Sequence, residues 1–168
     1  MRAAVILILA IGLRPAAAQD VPLEYQVKAA YLYNFVKFVE WPETARTGPL
    51  NICLAGRNPF GNLLAETIKD ETIDGRPLTS RVILEPEPDC HVLFVPEGAS
   101  SAYLRAARHM PTLTVGETPD FLQQGGVIAF VADGRNIRFA ISAEAAEQAN
   151  LQVSSRLLKL AVNTRANR

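Results

Sequence analysis

Eighteen residues, Tyr25 to Pro42 (YQVKAAYLYNFVKFVEWP), restrict this chain more than any other stretch. They hold Tyr25, Tyr31, Tyr33, Phe35, Phe38 and Trp41, six of the twelve aromatic residues in the sequence. No Gly interrupts them and Pro42 is the single Pro. The spacing predicts one helix, ended where Pro42 biases Trp41 toward extended backbone. At about 100° per residue, Gln26, Lys37 and Glu40 fall on one narrow stripe with Asn34 nearby. The rest, apart from Lys28, is apolar or aromatic. Such a helix must be covered over most of its circumference. Tyr33 projects into the polar stripe, so it is expected to be more exposed than Tyr31, Phe35 or Phe38. With Lys37 it forms a candidate contact edge.

An earlier apolar run has another purpose. Met1-Arg2 is a short basic start, Ala3 to Leu13 is apolar, and Ala16-Ala17-Ala18 offers small residues at a cleavage site. This pattern predicts a signal peptide over residues 1–18, removed on export. The run is shorter than the roughly 20 residues that cross a bilayer, and no Cys stands ready for a lipid. The expected product is periplasmic, without stable membrane insertion. Without Arg2 and Arg14, fifteen basic residues face seventeen acidic ones, a net charge of −2. With no basic excess or cluster to displace counterions, nucleic acid is not an expected partner. Residues 19–168 are long enough for one domain with a real core.

Export also bears on Cys53 and Cys90. In a cytosolic chain they would read as buried thiols; in an exported chain an even pair favours a disulfide. No CxxC accompanies either, and His91 beside Cys90 points to the opposite face of a strand, so no metal site is expected.

Short apolar strands alternate with helices along the chain. The strands are Leu50 to Ala55, Leu78 to Leu84, His91 to Val95, Thr112 to Val115, Val127 to Ala132 and Asn136 to Ile141. Helices are predicted from Leu63 to Ile68, from Ser100 to about His109, briefly from Thr118 to Gln123, from Ser142 to about Ala149, and from Ser154 to Val162. Asp133-Gly134 marks a hairpin. The pattern predicts an α/β three-layer sandwich: a mostly parallel sheet of about six strands, with a C-terminal antiparallel hairpin.

In open α/β sheets, ligands bind beyond the carboxyl ends of strands. Two loops have that form. Gly56, Arg57 and Asn58 open the first (GRNPFG), and Glu117 and Thr118 belong to the second (GETP). The first is neither a dinucleotide fingerprint nor a P-loop. An ordinary strand-to-helix turn with Pro59 at the first helical position is the simpler reading. No GxSxG, HExxH or SxxK motif appears, so no enzyme and no cofactor are expected. Glu85, Glu87 and Asp89 read as a solvated acidic loop. Gly125-Gly126 reads as backbone geometry between two elements.

Five segments together resemble the YfiR family of periplasmic regulators: AAYLYNFVKFVEWP (29–42), GRNPFG (56–61), CHVLFVPE (90–97), TLTVGETPDFLQQGGVIAFV (112–131) and LLKLA (157–161). They stand in family order across nearly all of residues 19–168. One departure is Ile141-Ser142, where the family usually has Ile-Asn; Ser serves equally as a helix N-cap. The resemblance implies an α/β fold and a binding role. It implies a protein that holds inactive the periplasmic sensor domain of an inner-membrane protein, a diguanylate cyclase with a GGDEF domain or a histidine kinase. The outcome would be lower cyclic di-GMP and less biofilm. It also implies a Cys53–Cys90 disulfide, while a second cysteine pair found in the family is missing here. A homodimer is a further possible partner state. The alternative is a small-ligand-binding protein that uses the two loops as a cleft.

Overall fold

The computed structural model describes residues 21–162. The expected signal peptide lies outside the described residues. The first helix, α1 (Leu23–Lys37), buries Lys28, Ala29, Leu32, Phe35 and Val36. Its expected polar stripe is present in part: Gln26, Asn34 and Lys37 are exposed on the helix, whereas Glu40, also exposed, lies beyond its end. Tyr33 is more exposed than Phe35, but Tyr31, Tyr33 and Phe38 are all half-buried, so the anticipated contrast with Tyr31 and Phe38 is not seen. The helix also stops at Lys37 rather than continuing to Trp41. Val39–Glu40 (β1) pairs instead with Gln152–Val153 (β9), antiparallel, and the Ser154 N–H donates to the Phe38 carbonyl at 2.9 Å. Long-range pairing has overridden local helix propensity.

A seven-stranded, mostly parallel sheet forms the centre. In chain order its strands are β2 (Leu50–Ala55), β3 (Thr72–Ile73), β4 (Arg76–Ile83), β5 (Val92–Val95), β6 (Leu113–Gly116), β7 (Ile128–Asp133) and β8 (Asn136–Ile141). Their spatial order is β3-β4-β2-β5-β6-β7-β8. From β4 to β7 all neighbours are parallel; β3 and β8 are antiparallel at the two edges. The seventh strand, unforeseen in the sequence, is the two-residue β3, folded back through Asp74-Gly75 with both φ values positive. The β7–β8 hairpin turns at Gly134-Arg135, one residue on from the expected Asp133-Gly134, with Asp133 paired to Asn136.

Alternation along the strands divides the core. Ile52 and Leu54 share one cluster with Phe94, Phe130 and Phe139; Cys53 and Ala55 share the other with Leu93 and Phe121. The first face carries α1, α2 (Leu63–Ile68), α4 (Ala143–Gln148) and Leu157 of α5 (Ser155–Leu160). Ser142 and Ser154 cap α4 and α5 through their hydroxyls, each accepting an N–H three residues on. The second face carries α3 (Ala102–Ala107) and the segment around Phe121. That segment is a series of turns rather than the expected helix from Thr118 to Gln123.

Phe121 explains those turns and the neighbouring glycines. A Cβ on Gly116 or on Gly126 would lie 2.2 Å from its ring. The ring is clasped between the two backbones, and only Gly125 answers to the simple backbone reading, with φ +91°. Gly126→Ala should therefore cost about 1–3 kcal/mol through overpacking, read as a lower urea midpoint. A change within a few tenths of a kcal/mol would show that Phe121 repacks freely.

Candidate functional site

The chain leaves β2 toward β4 on one side, and later runs from β5 outward on the other. The order of progression therefore reverses between β2 and β5, the point where doubly wound sheets usually open a ligand crevice. The loops after β2, β5 and β6 meet there. The amino-terminal half of α1 lies across them and fills the space.

Lys28 is the key side chain. Glu24 lies one turn before it, and its ammonium contacts that carboxylate and, at 2.5 Å, the Glu117 carboxylate. The Lys28 and Glu117 side chains are only 5 % and 6 % exposed, so this is a buried ion pair. The other Glu117 oxygen accepts the Glu97 N–H at 2.9 Å. Tyr25 and Phe130 place their rings 4.8 and 5.6 Å from the ammonium. Burial works against the charge on Lys28, yet the Glu117 and Glu24 carboxylates outweigh it and hold the ammonium above the usual lysine range. Burial, reinforced by Glu117, likewise pushes the Tyr25 hydroxyl up.

The two candidate loops are thus brought together, but as a structural joint. Gly56 sits at φ +72° and donates to the Ile83 carbonyl. Arg57 is exposed and donates to the Glu97 carbonyl at 3.3 Å. Asn58 closes its own turn, accepting the Phe60 N–H and donating to the Gly61 carbonyl. Pro59 does not begin a helix; α2 starts at Leu63, because the intervening turn buries Phe60 against Tyr25 and Phe94. Thr118 is half-buried and its carbonyl accepts the Phe121 N–H. Tyr33 and Lys37 lie apart from these loops. Lys37 covers the Tyr33 ring at 3.8 Å, and the Tyr33 hydroxyl donates to Glu71.

Cys53 and Cys90 form a disulfide. It ties β2 to the end of the 84–90 segment, a helix-free return from β4 to β5. Arg81 holds the same segment through Glu87 and Asp89, both at 2.6 Å, and Asn51 donates to Asp89. The acidic loop is solvent-exposed, as expected, but Glu87 and Asp89 are also tied to Arg81, which makes it a strap.

At the opposite end of the sheet, His91 is buried. Its Nδ1 accepts the Asn51 N–H at 3.2 Å, and its Nε2 lies 2.9 Å from the Ala45 carbonyl and 2.8 Å from the Arg76 guanidinium. Burial and the neighbouring Arg76 outweigh that carbonyl and push the imidazole below the usual histidine range. Trp41 donates to the His91 carbonyl. This knot borders a cleft of about 490 Å³ lined in part by Trp41, Arg46, Asp74 and Arg76.

Lys28 and Arg81 are not among the candidate residues that the sequence singles out. A cation on the apolar side of α1 demanded a buried anion, and Glu117 directly follows a buried strand. That signal was present in the sequence.

The architecture defines a doubly wound α/β domain whose switch-point crevice is closed by its own first helix. The family model described as YfiR/HmsC-like matches residues 25–162, and the chain belongs to that family. None of the curated proteins compared with it matches. Among the described residues, no helix is long and apolar enough to cross a membrane.

Proposed function

We propose that this protein is a non-catalytic periplasmic regulator that binds the periplasmic sensor domain of an inner-membrane signalling protein and holds it inactive. The target is a diguanylate cyclase, so binding lowers cyclic di-GMP and restrains biofilm formation. The observation that carries this reading is the family match over residues 25–162, almost the whole described domain. The closed crevice supports it too. Side chains of Phe60, Lys28 and Glu117 occupy the place where the ligand-binding alternative would put its small molecule. A regulator of this kind acts by binding the inactive state of its target more tightly than the active one, and shifts the population by that difference alone.

The test is in cells. Deleting the gene should raise cyclic di-GMP, and exported residues 19–168 should bring it back down, with a membrane diguanylate cyclase recovered on the tagged protein. Unchanged cyclic di-GMP in the deletion strain would refute the reading.

A further inference from the structure

Between Trp41 and Leu50, both buried, the chain crosses from β1 to β2 without a buried residue; Pro42 and Ala45 are half-buried and the rest are exposed. Two side chains of the main sheet hold this link. Arg76 donates to the carbonyls of Gly48 at 2.8 Å, Thr47 at 3.2 Å and Pro49 at 3.3 Å. His91 meets the Ala45 carbonyl through Nε2. The link also runs between two clefts. Arg46 borders the one of about 490 Å³ beside Trp41, while Thr44 and Thr47 border another of about 440 Å³ that reaches Asp89 and His91. A segment with so few buried contacts opens locally at a small fraction of the global unfolding free energy.

Both nitrogens of the buried His91 ring face a donor: the Asn51 N–H at Nδ1 and the Arg76 guanidinium at Nε2. A neutral imidazole has one lone pair to offer them; an imidazolium has none and donates at both nitrogens. Protonation therefore sets two ring N–H groups against two donors, with a second positive charge beside Arg76. Asp89 favours that charge, but its carboxylate is already held by Arg81 and Asn51. Asp74 acts on Arg76 rather than on the ring. Trp41 presents only its indole, 5.9 Å away, and β6 only the Leu113 N–H, which donates to the His91 carbonyl. We propose that His91 is a proton-operated latch: on taking up one proton it releases the 42–49 link, and the two clefts join while the sheet stays folded. In the closed form, burial and Arg76 hold the imidazole below the ordinary 6.5; free of both, it returns to about that value. Protons give opening no help above that pH. Below it, opening gains about tenfold per pH unit until the closed-form ring itself titrates. The latch involves neither α1 nor the switch-point loops, so it stands or falls independently of any membrane target.

The experiment is a pH titration of residues 19–168 from about pH 8 to about pH 4, the range in which a histidine changes charge. Three signals are followed: Trp41 emission, amide exchange at Ala45 and Arg46, and the far-UV spectrum. Trp41 is the one Trp in the chain, and its indole donates to the His91 carbonyl, so its emission reports on this knot alone. Emission should change with a midpoint below 6.5, and the two amides should lose protection by about tenfold per pH unit, at a constant far-UV signal. His91→Asn supplies an oxygen for the Asn51 N–H and no titrating ring, and should abolish both changes; His109→Gln, which alters the one other histidine, should keep them. Should His91→Asn fail to fold, the His91 ring resonances of the unaltered protein decide: they should titrate with the same midpoint as the Trp41 emission. A transition retained in His91→Asn, ring resonances that titrate elsewhere, or no transition while the fold persists overturns the proposal. So does a far-UV loss at the same midpoint, because the proton would then unfold the domain rather than release the link.

Discussion

Replacing Lys28 by Met should cost about 3–5 kcal/mol of folding stability, the usual penalty for stranding one member of a buried ion pair. Met approximates the aliphatic stem but leaves the Glu117 carboxylate, 6 % exposed, with one backbone N–H as its remaining hydrogen bond. The total stability of such a domain is about 5–15 kcal/mol, so the variant would lie close to unfolding in warm conditions. Lys28→Met combined with Glu117→Gln should be less damaging than the sum of the single changes, because the amide can keep the Glu97 contact without a charge. Urea unfolding of all four proteins closes the cycle. The pair also marks the alkaline limb. Because the folded-state ammonium titrates above the ordinary 10.5, its contribution is fully present below that value and disappears as pH rises through the folded pKa. That limb should be missing in Lys28→Met. A single variant within about 0.5 kcal/mol of the wild type, the ordinary range for surface changes, would show that the pair contributes nothing net.

The Cys53→Ser, Cys90→Ser double variant should lose about 4 kcal/mol, the chain-entropy value for a loop of this length. Both cysteines are buried, at 0 % and 3 % exposure, so the hydroxyls add a desolvation cost rather than relief. The loss should be reproduced by reductant acting on the unaltered protein. Amide exchange should rise first in the strap at residues 84–90, which Arg81 and Asn51 would then hold without the covalent tie. If loosening this strap releases a signalling target, the double variant should also bind its target less well. Full stability together with full binding would leave the disulfide without a role in either.

Much of this architecture could be read from short-range pattern. The six strands of the main sheet that were anticipated owe their visibility to continuous apolar runs such as LNICLA and HVLFV, bounded by turns. Ser142 and Ser154 declared two helix starts. What was not legible depended on partners distant in sequence. Nothing local says that Val39 will leave a helix to pair with Val153, or that Gly116 and Gly126 will enclose the Phe121 ring. The site divided in the same way. The two loops were found because strand ends are recognisable, whereas their closure depends on Lys28, 89 residues away from Glu117. Glu87 reads as surface charge and Arg81 draws no notice, because a pair six residues apart, one on a strand and one on an irregular return, follows no helical or strand spacing.

The β1–β9 pairing carries a consequence for the order in which this chain becomes itself. Val39 waits for Val153, and the aromatic flank of α1 waits for Phe130 and Phe139. The first helix among the described residues is thus among the last elements to find its surroundings. Contacts so distant along the chain form slowly, and until they form, a helix rich in exposed rings has nowhere to hide. Its earliest associates are whatever other surfaces the emerging chain meets.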